Sequence, residues 1–204
     1  MIKTIIFDIG GVVVQADFQK IYAEFAEKVG LRAEIVEQYF KENFSTLLLE
    51  KISLAQTWSD MISNGANPDI YLDNVWFEIA MKHRTDNSEL LSIIDQLRKN
   101  YPVGVLTNLT PTRLLVDNKT DLYSHFDYAL LSCEEGLKKP DPEFYKLALK
   151  KAGVRPEESI FVDDTETCVQ AAIDLGMKGI SYTFPDNKRF IKNLKKLGIY
   201  LLRS

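Results

Sequence analysis

Residues 3 to 14 read KTIIFDIGGVVV. The run opens on β-branched and aromatic residues, the composition of a strand buried on both faces of a parallel sheet. Asp8 and the Gly10-Gly11 pair then break it. From Phe18 the period changes. Phe18, Ile21, Tyr22, Phe25 and Val29 recur every three or four residues, one stripe of an amphipathic helix that Gly30 ends. The same spacing predicts helices over 34–49, 53–62 and 69–82, giving about 70 residues of helix with no convincing strand.

After residue 86 the pattern alternates. A helix is predicted over 88–99, the strand PVGVLT over 102–107 and a shorter helix after Pro111. The strand FDYALLS follows over 126–132, then a helix over 143–152 stopped by Gly153. The strand SIFVD spans 159–163, a helix 166–175 stops at Gly176, a strand covers 178–182 and a last helix 186–197. Alternating β and α segments with short links predict an α/β fold, a doubly wound, Rossmann-like parallel sheet. Length agrees, since 204 residues is about 1.4 typical domains. The expected organisation is an α/β core, residues 1–16 and 86–204, carrying an all-helical insert, residues 17–85.

Composition narrows the function. Lys and Arg total 25 against 29 Asp and Glu, a net charge of −4. No basic excess points to nucleic acid or an anionic membrane as partner. Cys133, expected to end a strand, and Cys168, on the helix after SIFVD, lie in no CxxC spacing. They read as packed thiols in a reducing compartment, not as a zinc site or disulfide framework. No apolar run approaches the ~18 residues of a membrane span, and no signal-peptide core precedes the first strand. The expectation is a cytoplasmic protein. His83 and His125 are the only histidines, and no HExxH, GxSxG, GxGxxG or Walker A pattern occurs. Both read as structural or exposed. Any chemistry therefore rests on carboxylates, hydroxyls and lysine.

Ligands of a doubly wound sheet bind at the carboxyl ends of its strands. Asp8 follows the first predicted strand, and Thr107-Asn108 follow PVGVLT. The loop after FDYALLS leads to Lys138-Lys139-Pro140, and Asp163-Asp164 follow SIFV. Taken singly, each group has an ordinary explanation: a helix cap, a turn or a solvated lysine. Taken together they do not. Three carboxylates converging on one crevice repel unless a cation sits among them. Oxygen ligands without His or Cys favour Mg²⁺. A lysine and a hydroxyl on the same rim suit a phosphate oxygen.

This order and spacing resemble the haloacid dehalogenase superfamily. Phe7-Asp8-Ile9-Gly10-Gly11-Val12 resembles its first motif and Leu106-Thr107-Asn108 its second. Lys139-Pro140-Asp141-Pro142 with Phe144-Tyr145 resembles the third, and Phe161-Val162-Asp163-Asp164 the fourth. The helical insert falls where that family inserts its cap domain. The resemblance implies a phosphohydrolase in which Asp8 attacks phosphorus and the aspartyl-phosphate is hydrolysed by water. It implies Mg²⁺ held by Asp8, the Gly10 carbonyl and Asp164, with Asp163 in or near the next layer. Thr107 and Lys139 would bind the transferring phosphoryl group, and Asn108 and the Gly11 amide would add donors. The implied partner is a small phosphorylated metabolite, selected by the cap.

One position departs from the pattern. Most phosphatases of the family place a second aspartate, the general acid/base, two residues after the nucleophile; here that residue is Gly10. Three readings fit. The first is a phosphatase for a good leaving group, such as a sugar 1-phosphate. Asp-x-Gly-x-Val with Asp17-Phe18 resembles the branch of the α-D-glucose-1-phosphate phosphatases and the N-terminal phosphatase domain of epoxide hydrolases. The second is a 2-haloacid dehalogenase, which also lacks that aspartate. The third is a catalytically weak member that binds a metabolite or a protein partner. Asp17 reads as the N-cap of the helix starting at Phe18, with a stand-in acid as its other reading. Arg84 reads as a surface ion pair, or as a contact to a leaving-group oxygen. Trp58 and Trp76 read as core of the insert, and Glu134-Glu135 as a solvated loop.

Overall fold

The computed structural model describes residues 1–49 and 51–201. In chain order the elements begin with β1 (Thr4–Phe7), β2 (Val14–Ala16), α1 (Phe18–Val29), α2 (Ala33–Leu47), α3 (Leu54–Ser63) and α4 (Leu72–Lys82). Then come β3 (Arg84–Asp86), α5 (Ser88–Leu97), β4 (Val103–Thr107), α6 (Pro111–Asn118), β5 (Tyr128–Leu131) and α7 (Ser132–Glu135). The last are α8 (Pro142–Ala152), β6 (Ser159–Asp163), α9 (Glu166–Asp174), β7 (Lys178–Ser181) and α10 (Asn187–Lys196).

Five strands form one parallel sheet in the order β5-β4-β1-β6-β7. The chain leaves β1, builds β4 and β5 on one side, then returns to build β6 and β7 on the other. β1 is therefore the switch point, where an open α/β sheet forms its crevice. All four β1 residues are buried, because helices cover both faces. Ile5 and Phe7 face one core with Val105, Val162 and Leu90, Ile94 and Leu97 of α5. Ile6 faces the other with Leu106, Phe161 and Phe144, Tyr145 and Ala148 of α8. The doubly wound sheet is thus as the sequence predicts. The third sheet strand is shorter than expected, Tyr128–Leu131, and Cys133 lies in the single turn α7 that follows it. Glu134 and Glu135 are exposed, as expected, but on that turn of helix and not in a loop.

Helices α1 to α4 pack around an aromatic cluster of their own. Tyr22 stacks on Phe40 at 4.9 Å, and Trp76 meets Phe25, Phe40 and Trp58 at 5.0, 5.1 and 5.8 Å. Both tryptophans are core residues of the insert, as expected; Trp58 Nε1 donates to Asp73. Val116 of α6 joins the same cluster, so the insert rests on the helix that follows β4. Asp17 caps α1, its carboxylate accepting from Lys20 N at 3.2 Å.

The expectation of an insert without strands is corrected. Val14–Ala16 and Arg84–Asp86 pair antiparallel, Gln15 opposite Thr85, making a two-stranded ribbon where the chain enters and leaves the helices. Three residues per strand are too few for alternation to register, and the partners lie about 70 residues apart in sequence, so no local turn announces the hairpin. Among the described residues no helix is long and apolar enough to cross a membrane.

Candidate active site

Asp8 stands directly after β1, its amide donating to Val162 O at 2.8 Å. The chain then folds into a tight turn in which the amides of Val13 and Val14 both donate to Ile9 O at 2.9 Å. Gly11 sits in that turn at φ 71°, a conformation that favours glycine. A Cβ there would lie 2.1 Å from Asp164 Oδ2. Gly11 therefore provides the room in which the Asp164 carboxylate lies against the loop after β1. Its amide, expected to face a phosphate, donates instead to Val14 O at 2.9 Å. That bond closes the turn, and so the sequence expectation for Gly11 is revised from donor to spacer.

Lys139 is 4% exposed and joins the acids. Its Nζ lies 2.6 Å from Asp163 Oδ2 and 2.9 Å from Asp8 Oδ1. Asp8 Oδ1 is buried, with the ammonium as its ion-pair partner. Burial pushes the Lys139 ammonium down, but Asp8 and Asp163 outweigh it and hold its pKa above the usual value. Burial, then the charge of Asp8, pushes the Asp163 carboxyl up to about 7 against the pull of Lys139. Asp164 is raised for the same two reasons.

Asp163 has both oxygens engaged, Oδ2 with Lys139 and Oδ1 with Thr165 N at 2.8 Å. Asp164 is exposed at the mouth of the crevice. Thr107 closes β4 on the same rim and is 1% exposed. Asn108 clamps the Lys139 backbone: its Oδ1 accepts from Lys139 N at 2.8 Å, and its Nδ2 donates to Lys139 O at 3.0 Å. One side-chain amide thereby fixes where the ammonium stands.

Asp8, Asp163 and Asp164 each bring one oxygen within 4.8 Å of the others. A set of three carboxylate oxygens with no His or Cys among them fits a small hard cation. His83 pairs with Glu24 at 2.7 Å and His125 with Asp95 at 2.8 Å, both away from this cluster.

Arg84 is not at the surface. Its side chain is 5% exposed, and Nη1 donates to Asp117 Oδ1 at 2.9 Å. Arg84 thus makes the expected ion pair with the exposed Asp86 and a buried one with Asp117. Sequence reading also passed over Asp117, fully buried, and Arg113, one helical turn before it. An i,i+4 Arg-Asp pair reads as a solvated helix face. What could have marked it is Thr110-Pro111, which starts α6 only three residues past Thr107 and keeps its first turn at the rim.

Residues 2–176 match the family of haloacid dehalogenase-like hydrolases, and the chain belongs to that family. It is 34% identical over 100 residues to the flavin mononucleotide hydrolase 1 of Arabidopsis thaliana, 49% of this chain and 40% of that one. It is 27% identical over 190 residues to the D-ribitol-5-phosphate phosphatase of Bacteroides thetaiotaomicron, 87% of this chain and 90% of that one. The chain spans about two fifths of the length of the first curated relatives it matches, at 40%, 40% and 38%. A family enzyme from Bacteroides thetaiotaomicron, crystallised with magnesium and inorganic phosphate, superposes with a TM-score of 0.77 at 22% identity. That match covers 93% of this chain and 99% of that one.

Proposed function

We propose that the protein is a Mg²⁺-dependent phosphohydrolase for a small phosphorylated metabolite, a sugar phosphate such as a sugar 1-phosphate, acting through an aspartyl-phosphate on Asp8. The observation that carries this reading is the Lys139 ammonium held between Asp8 and Asp163, with Asp164 beside them at the mouth. In this reading Asp8 is the nucleophile, and Lys139 and Thr107 receive the oxygens of the transferring phosphoryl group. Preorganised donors of this kind act on charge that develops in the transition state. Asn108 positions Lys139 through its backbone. An amide nitrogen carries two hydrogens, so Asn108 keeps one for a phosphate oxygen. Asp8, the Gly10 carbonyl and Asp164 would hold Mg²⁺, with Asp163 alongside; the ion supplies Lewis-acid charge neutralisation. Residues 1–16 and 86–204 would carry the chemistry, and the helical cap, residues 17–85, would select the substrate and exclude water.

Relatives named for ribitol 5-phosphate, glyceraldehyde 3-phosphate and flavin mononucleotide support a small phosphorylated metabolite as the substrate. A screen of phosphorylated metabolites with and without Mg²⁺ tests the reading, with Asp8→Asn as the control. Turnover that requires both Mg²⁺ and Asp8 supports it. Metal-independent chloride release from 2-chloropropionate supports a dehalogenase instead. Tight metabolite or partner binding with no turnover supports a non-catalytic role.

A further inference from the structure

The nucleophile loop and the first turn of α6 meet at Gly10. A Cβ on Gly10 would stand 3.4 Å from Arg113 Nη1. The guanidinium therefore lies against the backbone two residues past Asp8, where the family pattern has a proton-donating carboxylate. Arg113 reaches this place because β4 is the neighbour of β1 and α6 starts just beyond its carboxyl end.

The Arg113 side chain is 16% exposed, and its Nη2 is buried with no hydrogen-bond partner among the described residues. Its nearest carboxylate, Asp117, is 3.6 Å from Nε, beyond hydrogen-bond range. Asp117 is already engaged. Its Oδ1 accepts from Arg84, and its Oδ2 accepts from the Tyr123 hydroxyl at 3.2 Å. Arg84 holds a second carboxylate as well, Asp86 at 2.5 Å. The close anionic contacts thus go to Arg84, while Arg113 keeps an unspent buried donor. Such a donor is costly unless it has something to bind. Both arginines line a cavity of about 30 Å³ walled by Phe18, Ile21 and Trp76. That space has room for about one or two waters, so little solvent can screen the charge.

We propose that Arg113 is a catalytic residue on the leaving-group side, donating to the oxygen that departs from phosphorus. This rests on the phosphohydrolase reading and deepens it. Asp8 forms the new O–P bond, and the bond from phosphorus to the leaving group breaks with its electron pair on the leaving oxygen. Arg113 stabilises that oxyanion and keeps its own proton, since a guanidinium stays charged across the working range. The oxyanion then takes a proton from solvent water. A fixed cation in place of a proton donor limits the substrates to esters whose leaving oxygen departs as a weakly basic anion, such as the hemiacetal oxygen of a sugar 1-phosphate, an enol or a phenol.

The test is kcat, with Mg²⁺, on aryl phosphates of graded phenol acidity for the wild type, Arg113→Gln and Arg113→Lys. Asp117 keeps Arg84 and Tyr123 in either variant, and far-UV circular dichroism checks the fold. For Arg113→Gln the expected loss grows from within about threefold on p-nitrophenyl phosphate to about 10²-fold on the least acidic phenol, the scale of losing one transition-state donor. Arg113→Lys recovers part of it, and added guanidinium ion restores Arg113→Ala on the poor leaving groups. An equal loss across the series is what a structural role would give, and it overturns the proposal, as does no loss. A wild type silent on every ester overturns the phosphohydrolase reading itself, before any variant is compared.

Discussion

Replacing Lys139 by Met removes a buried ammonium from between two carboxylates, 2.6 Å and 2.9 Å from its nitrogen. Removing one partner of a buried ion pair costs about 3–5 kcal/mol, because the remaining charge is left uncompensated. Asp163 limits the damage. Its carboxyl is already pushed up to about 7, so it takes up a proton once the ammonium is gone. That places the cost near the lower end, about 3 kcal/mol. In a chain of this length each kcal/mol shifts the melting temperature by about 2–4 °C, so the expected fall is about 6–12 °C. The assay is thermal unfolding by circular dichroism at neutral pH in chelator, where no added cation replaces the lost charge. Asp163 is already neutral in Lys139→Met, so adding Asp163→Asn there costs little, and the double variant loses less than the sum of the two single losses, a coupling of about 0.5–3 kcal/mol. A single variant melting within about 2 °C of wild type, or a double variant with purely additive losses, would refute the charge arrangement.

Three further outcomes follow from the geometry. Gly11→Ala places a methyl 2.1 Å from Asp164 Oδ2 at a positive φ; displacing that carboxylate should lower kcat by about 10²-fold, checked by steady-state kinetics beside a melting curve. Asp17→Asn should leave both melting temperature and kcat unchanged, since Asn caps a helix as well as Asp; a fall in kcat on a poor leaving group would make Asp17 a stand-in acid. Glu158 is held down to about 2, first by its bond to Lys3 and then by Arg155. Because its folded pKa lies below the ordinary ~4.3, its stabilisation is present above that value and is lost as pH falls toward 2. The melting difference between wild type and Glu158→Gln should therefore shrink across that window, and a difference constant with pH would contradict the assignment.

The sheet was legible in the sequence because each strand is a short apolar run ended by a polar residue or a turn, and parallel strands covered on both faces need that pattern. Asp8, Thr107 and Asp164 were legible for a related reason: the carboxyl end of each strand is a fixed address on the rim. What escaped depends on contacts between distant segments. The ribbon of Val14–Ala16 with Arg84–Asp86 joins two ends of a long insertion. The use of the Gly11 amide inside its own turn, and of the Asn108 side chain on the Lys139 backbone, are hydrogen-bond choices that residue types do not encode. Arg113 carries no signal of its own in the sequence, and only the closeness of α6 to Gly10 gives it a meaning.

As the proposed nucleophile, Asp8 becomes phosphorylated during turnover. Acid quenching of a reaction with a hydrolysed phosphate ester, followed by peptide mass spectrometry, tests it directly. A phosphoryl group is expected on the peptide containing Asp8, lost in Asp8→Asn together with turnover. Steady hydrolysis by the wild type with no label on Asp8, or hydrolysis that survives Asp8→Asn, would contradict it.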